Sequence, residues 1–139
     1  MTFFVDALQF YLQVNVVDAQ FARFDAALQR ADASIETTDA AHKEWMQLLT
    51  DQCFLSSAVV SRSLDSILRL CLRFVELVES RAALNTAVND VDARVIGDEF
   101  DQSVSELFAV FNGADSARQT PALSQLLLTL DFNRKMLKM

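Results

Sequence analysis

Two glycines and one proline in 139 residues leave this chain almost without the residues that let a backbone reverse in tight hairpins or absorb bulges. Long, rarely interrupted helices are what such a chain can build. With hydrophobic residues at 52%, a chain of this length buries about two thirds of the surface it exposes when unfolded. That is enough for a core without disulfide or metal staples, and the expected unit is a single helical domain over residues 1–139.

The periodicity predicts five helices. The first runs from Thr2, as N-cap, to about Arg30, with Phe4, Leu8, Tyr11 and Leu12, then Phe21, Phe24 and Leu28, at helical spacing on its inner face. Ser34 caps a second helix from about Ile35 to Cys53, whose stripe reads Ile35, Thr38, His42, Trp45, Leu49 and Cys53. His42, Trp45, Leu49 and Cys53 are therefore expected along a buried seam. Leu55, Ser56 and Ser57 supply the next turn. A third helix to about Arg81 then turns Val60, Leu64, Ile67, Leu68, Cys71, Phe74, Val75 and Val78 inward and leaves Arg62, Asp65, Arg69, Arg73 and Glu76 on a solvated face.

The fourth helix covers roughly Ala87 to Asn112, with Val88, Val91, Val95, Phe100, Val104, Leu107, Phe108 and Phe111 inward and Gly113 as its C-terminal glycine. Gly97 inside it costs about 1 kcal/mol relative to alanine and marks close packing or a bend. The last helix opens on Thr120 as N-cap and Pro121 at its first position, with Leu123, Leu126, Leu127 and Leu130 as its core stripe. The sum is an all-α bundle of about five helices. Val14, Val16, Val17, Leu128 and Phe132 are surplus to the inner stripes, and they serve either internal packing or contact with another chain.

A net charge of −7 argues against tracking nucleic-acid phosphates or adsorbing to anionic lipid. The acidity lies in residues 1–55 and 82–113, and the chain ends slightly basic. The longest stretch without charge, residues 119–130, is well short of the roughly 20 apolar residues that span a bilayer, so no membrane insertion is expected. The opening residues carry Asp6 where a signal peptide needs basic groups. Cys53 and Cys71 form no C-x-x-C and have no flanking histidine, so two buried, reduced thiols in an intracellular protein are expected.

Catalytic and metal patterns fail on spacing. Asp39-Ala-Ala-His42 is half of a di-iron carboxylate motif, but the second half needs another histidine and the chain has one. His42-Lys43-Glu44 matches the H-x-E of zinc deaminases without the P-C-x-x-C that supplies the other ligands. Residues 89–94, NDVDAR, open like a calcium loop but lack its glycine. His42 and Cys53 stand about three turns apart on one helix and do not meet. No enzyme activity, cofactor or metal is expected.

Three segments, in order along nearly the whole chain, resemble the C-terminal end of the gamma-tubulin complex component family. Residues 8–21, LQFYLQVNVVDAQF, resemble its Leu-Gln-Tyr-Tyr helix leading into a Val-x-Glu/Asp segment. Residues 40–55, AAHKEWMQLLTDQCFL, resemble its Ala-His pattern ending in Cys-Phe-Leu. Residues 123–136, LSQLLLTLDFNRKM, resemble its closing Leu-rich Asp-Phe/Tyr-Asn run, although Lys135 and Met136 stand where the family commonly has an aromatic pair. The resemblance implies a helical module that binds gamma-tubulin beside other components of the complex, in microtubule nucleation at cytoplasmic organising centres. Phe132, Asn133, Arg134 and Lys135 are the candidate partner contacts. It also implies that the chain is the final portion of a longer family pattern, without the half that makes lateral contacts, so that helices upstream would cover the surplus apolar faces.

Overall fold

A computed structural model describes residues 1–30, 34–84, 86–87, 89–113 and 124–131. Among these no strand occurs, and the architecture is all-α. Helix α1 spans Thr2–Phe10, a π-helical segment follows over Tyr11–Asp18, and α2 continues over Ala19–Leu28. Helix α3 spans Ile35–Gln52, α4 Ala58–Ala83 and α5 Asp90–Gly113. Residues 124–131 form a further helical stretch, α6; the expected start of the last helix at Thr120 and Pro121 lies outside the described residues. The chain falls into two compact units, one holding α1, the π segment, α2, α3 and α6, the other holding α4 from Val59 onward and α5.

In the first unit the π segment decides which residues are inside. An α-helix returns the face of Leu8 and Tyr11 near residues 15 and 18 or 19, whereas a turn closed by i→i+5 hydrogen bonds inserts one extra residue. The buried series accordingly reads Phe4, Leu8, Tyr11, Val16 and Gln20. Of the two roles open to Val16 it takes internal packing, being fully buried. Phe21 and Leu28, expected inward, are corrected to exposed, at 54% and 37%. Val14 and Val17 remain exposed.

Gln20 is a polar residue at a core position, and a buried amide must find partners. Its Nε2 donates to Gln52 Oε1 at 3.0 Å, its Oε1 accepts from Arg23 Nη1 at 3.4 Å, and the Tyr11 hydroxyl donates to the Gln52 carbonyl at 3.2 Å. These bonds tie the π segment and α2 to the C-terminal end of α3.

Helix α3 begins where Ser34 leaves the helical conformation (φ −90°, ψ 169°). Ser34 Oγ accepts from the Thr37 backbone N–H at 3.2 Å, and Thr37 Oγ1 accepts from the Ser34 N–H at 2.7 Å. This is a reciprocal capping box with threonine in the place usually held by Glu or Gln. Ser34→Ala is expected to lower the unfolding free energy by about 1 kcal/mol in denaturant titration, and an unchanged midpoint would show that the box contributes nothing.

The other end of α3 closes on Phe54, the one non-glycine residue with positive φ (64°) among the described residues. The Leu55 N–H donates to the Thr50 carbonyl at 3.0 Å and the Phe54 N–H to the Asp51 carbonyl at 3.1 Å, the two bonds of a Schellman motif. A phenylalanine occupies the position that glycine usually takes. Its ring stacks on Tyr11 at 5.6 Å and 15° and is buried.

In the second unit, Arg73 bonds Glu99 at 2.9 Å and Arg81 faces Asp92 at 3.7 Å, so α4 and α5 run antiparallel. Asp65 and Arg69 pair within α4 at 2.7 Å. Such exposed pairs contribute at most about 1 kcal/mol each. Val60, Ile67 and Leu70 are buried on α4, but Leu68, Val75 and Val78, expected inward, are exposed. On α5 the buried stripe is Ile96, Val104, Leu107 and Phe111. Val91 and Val95, also expected inward, are exposed because the covered face passes through Ile96 instead; Val88 lies outside the described residues.

Gly113 does not play the part expected of it, and one of the two parts expected of Gly97 falls away. Gly113 has no positive φ, and so is not a left-handed cap. A Cβ built on Gly97 meets nothing within 4 Å, which removes the close-packing reading. Gly97→Ala is expected to stabilise the protein by about 0.5–1 kcal/mol through the chain entropy that glycine loses on folding, read as a raised Tm.

Candidate functional site

The His42–Trp45–Leu49–Cys53 stripe lies on α3, and within its unit α3 packs on α2 and the π segment. No residue of α3 is fully buried. Ile35 is 89% exposed and His42 is exposed, while Trp45, Leu49 and Cys53 are half-buried. This corrects the expected buried seam: only its later part, Trp45, Leu49 and Cys53, loses part of its contact with water, and its start at Ile35 and His42 stays exposed.

The stripe nevertheless organises an aromatic cluster. The Phe24 ring of α2 stacks on Trp45 at 5.0 Å and 8°, with Phe21 edge-on to the indole at 6.3 Å and His42 edge-on to Phe24 at 5.9 Å. His42 and Cys53 do not converge, and among the described residues no group of three His, Cys, Asp or Glu side chains is placed to hold a metal. Burial pushes both the Cys53 and the Cys71 thiol above the ordinary range, which disfavours the nucleophilic thiolate.

Trp45 Nε1 is buried without a hydrogen-bond partner among the described residues. An unsatisfied buried donor costs about 1–3 kcal/mol. Trp45→Phe deletes the donor and keeps a ring against Phe24, so the unfolding free energy is expected to change by less than about 1 kcal/mol. A loss of several kcal/mol in denaturant titration would mean that the indole N–H has an acceptor in solution.

Beyond the cluster, α2 and α3 leave a cleft of about 420 Å³ between them. Its floor is made by Ala27, Ala40 and Ala41, and Trp45, Phe24, Arg23 of α2 and Arg30, just past the end of α2, line it as well. The cleft exists because the facing residues there are methyls, too short to fill the space between two helices. Sequence reading passed over it; the signal was the alanine pairs of "DAALQR" and "DAAHKEW" on facing helices. Phe132, Asn133, Arg134 and Lys135 lie outside the described residues.

Residues 1–134 match the family described as gamma tubulin complex component C-terminal. The chain belongs to the gamma-tubulin complex component family. It is 31% identical over 135 residues to gamma-tubulin complex component 4 of Arabidopsis thaliana, covering 96% of this chain and 18% of that protein. It is 30% identical over 134 residues to gamma-tubulin complex component 4 of Mus musculus and of Homo sapiens, covering 96% of this chain and 20% of each. The chain thus spans about a fifth of the length of the curated relatives it matches. No solved structure matches it. The segments resembling this gamma-tubulin complex component family hold defined places: residues 8–21 bridge α1, the π segment and α2, and residues 40–55 carry the aromatic cluster and the Schellman end of α3. No helix among the described residues is long and apolar enough to cross a membrane.

Proposed function

We propose that this chain is a gamma-tubulin-binding helical module of a gamma-tubulin complex component, contributing to microtubule nucleation at cytoplasmic organising centres. The observation that carries the reading is the family match over residues 1–134, supported by relatives named gamma-tubulin complex component 4. The module holds gamma-tubulin by shape and side-chain complementarity and performs no covalent chemistry. Other components of the complex are its remaining partners, and Phe132, Asn133, Arg134 and Lys135, which follow α6 in sequence, are the contacts proposed first. Mixed with purified gamma-tubulin, the chain is expected to co-elute with it on size exclusion, and Arg134→Glu with Lys135→Glu to weaken the complex at least ten-fold. A chain that elutes alone, beside a full-length relative that co-elutes, overturns the reading.

One observation favours a second reading. Leu68, Leu72 and Val75 recur at i, i+4 and i+7 on α4 and are all exposed, the pattern by which a helix accepts another helix. A helical adaptor would use that face for a partner other than gamma-tubulin. An unbiased pull-down set beside the gamma-tubulin one separates the two.

A further inference from the structure

We propose that the cleft between α2 and α3 docks an acidic peptide segment of a partner protein, one that lays an apolar side chain on the alanine floor between flanking carboxylates. The floor of Ala27, Ala40 and Ala41 is apolar and unfilled, so an entering apolar side chain removes that surface from water. Trp45 and Phe24, stacked at 5.0 Å, line the hollow and give it a rigid aromatic boundary.

The rim selects the sign of the ligand. Arg23 on α2 and Arg30, two residues past its end at Leu28, both line the cleft. Neither pairs with a carboxylate among the described residues, whereas Lys43, Arg69, Arg73 and Arg81 each do. Arg23 has only its bond to the Gln20 amide, at 3.4 Å. Among the described residues Glu44 is the single carboxylate lining the cleft, and it stands on α3. It steers the ligand's carboxylates away from α3 toward the two guanidiniums, whose planar forks match carboxylate geometry. In a chain of net charge −7, this cleft is locally cationic. The inference stands apart from the gamma-tubulin reading and holds or fails without it.

Trp45 is the only tryptophan of the chain, so its emission reports what enters the cleft. The probe is a blocked Glu-Glu-Leu-Glu-Glu peptide titrated into the full chain, with Lys-Lys-Leu-Lys-Lys as counterpart. The glutamate peptide is expected to shift Trp45 emission saturably and to bind more weakly as salt rises. Arg23→Glu with Arg30→Glu should raise its Kd at least ten-fold. Ala41→Leu, which fills the floor with another strong helix former, should do the same with an unchanged helical circular dichroism. The proposal is overturned if the glutamate peptide gives no saturable change by fluorescence or in an NMR titration. It is equally overturned if the lysine peptide binds as well, or if binding survives both the charge reversal and Ala41→Leu. Should the double arginine variant fail to fold, the lysine peptide and Ala41→Leu still decide.

Discussion

Phe54→Ala is expected to lower the unfolding free energy by about 3–5 kcal/mol, and Phe54→Gly to cost about 1 kcal/mol less than alanine does. The order inverts what side-chain size alone predicts, since glycine removes more. Two effects meet at this position. The ring is 7% exposed and stacked on Tyr11 at 5.6 Å, and its loss empties part of the core whichever residue replaces it. The backbone has φ 64°, a conformation that costs any residue with a Cβ about 1–2 kcal/mol. Alanine keeps that cost and loses the ring; glycine loses the ring and sheds the cost. Denaturant titrations of the two variants, followed by far-ultraviolet circular dichroism, measure the difference. Equal losses would mean that the left-handed turn closing α3 is absent in solution.

That turn shows how far local signals carry and where they stop. Ser34 was legible as the cap of α3 because capping is a short-range transaction between a hydroxyl and the next N–H groups, and the structure forms those bonds at 3.2 and 2.7 Å. The end of the same helix carries no glycine, so Phe54 read as an ordinary apolar residue; only its stack on Tyr11, 43 positions away by the numbering, explains why it tolerates positive φ. The π segment was hidden for a related reason. Nothing in "YLQVNVVD" marks an extra residue in a turn, and reading straight through at 3.6 residues per turn returns the face of Leu8 and Tyr11 near residues 15 and 18 or 19, whereas Val16 and Gln20 are the residues buried. Trp45 was placed on the right stripe, but the stripe's burial depends on how many helices cover α3. The cleft was missed because a hollow is defined by what facing residues fail to fill, and a contact surface has no required spacing.

Helix α4 poses the same question at its largest energetic scale. Ile67→Ala is expected to cost about 2–5 kcal/mol, as aliphatic truncation in a packed core does, and Leu72→Ala no more than about 0.5 kcal/mol, as for a surface substitution. The sequence puts Ile67, Leu68 and Val75 on one wide apolar arc, with Leu72 beside it. In the structure Ile67 has no exposed surface and Leu72 is 61% exposed. The arc is two stripes: Val60, Ile67 and Leu70 are buried, and Leu68, Leu72 and Val75 stand free. Periodicity identifies both and ranks neither, because which one is covered depends on the neighbours. Leu72→Glu makes the distinction independent of stability: it should leave the unfolding midpoint within error and reduce the binding of an apolar dye. If Leu72→Ala instead destabilises as much as Ile67→Ala, the outer stripe is covered in solution, and the chain then supplies or recruits a helix on that face.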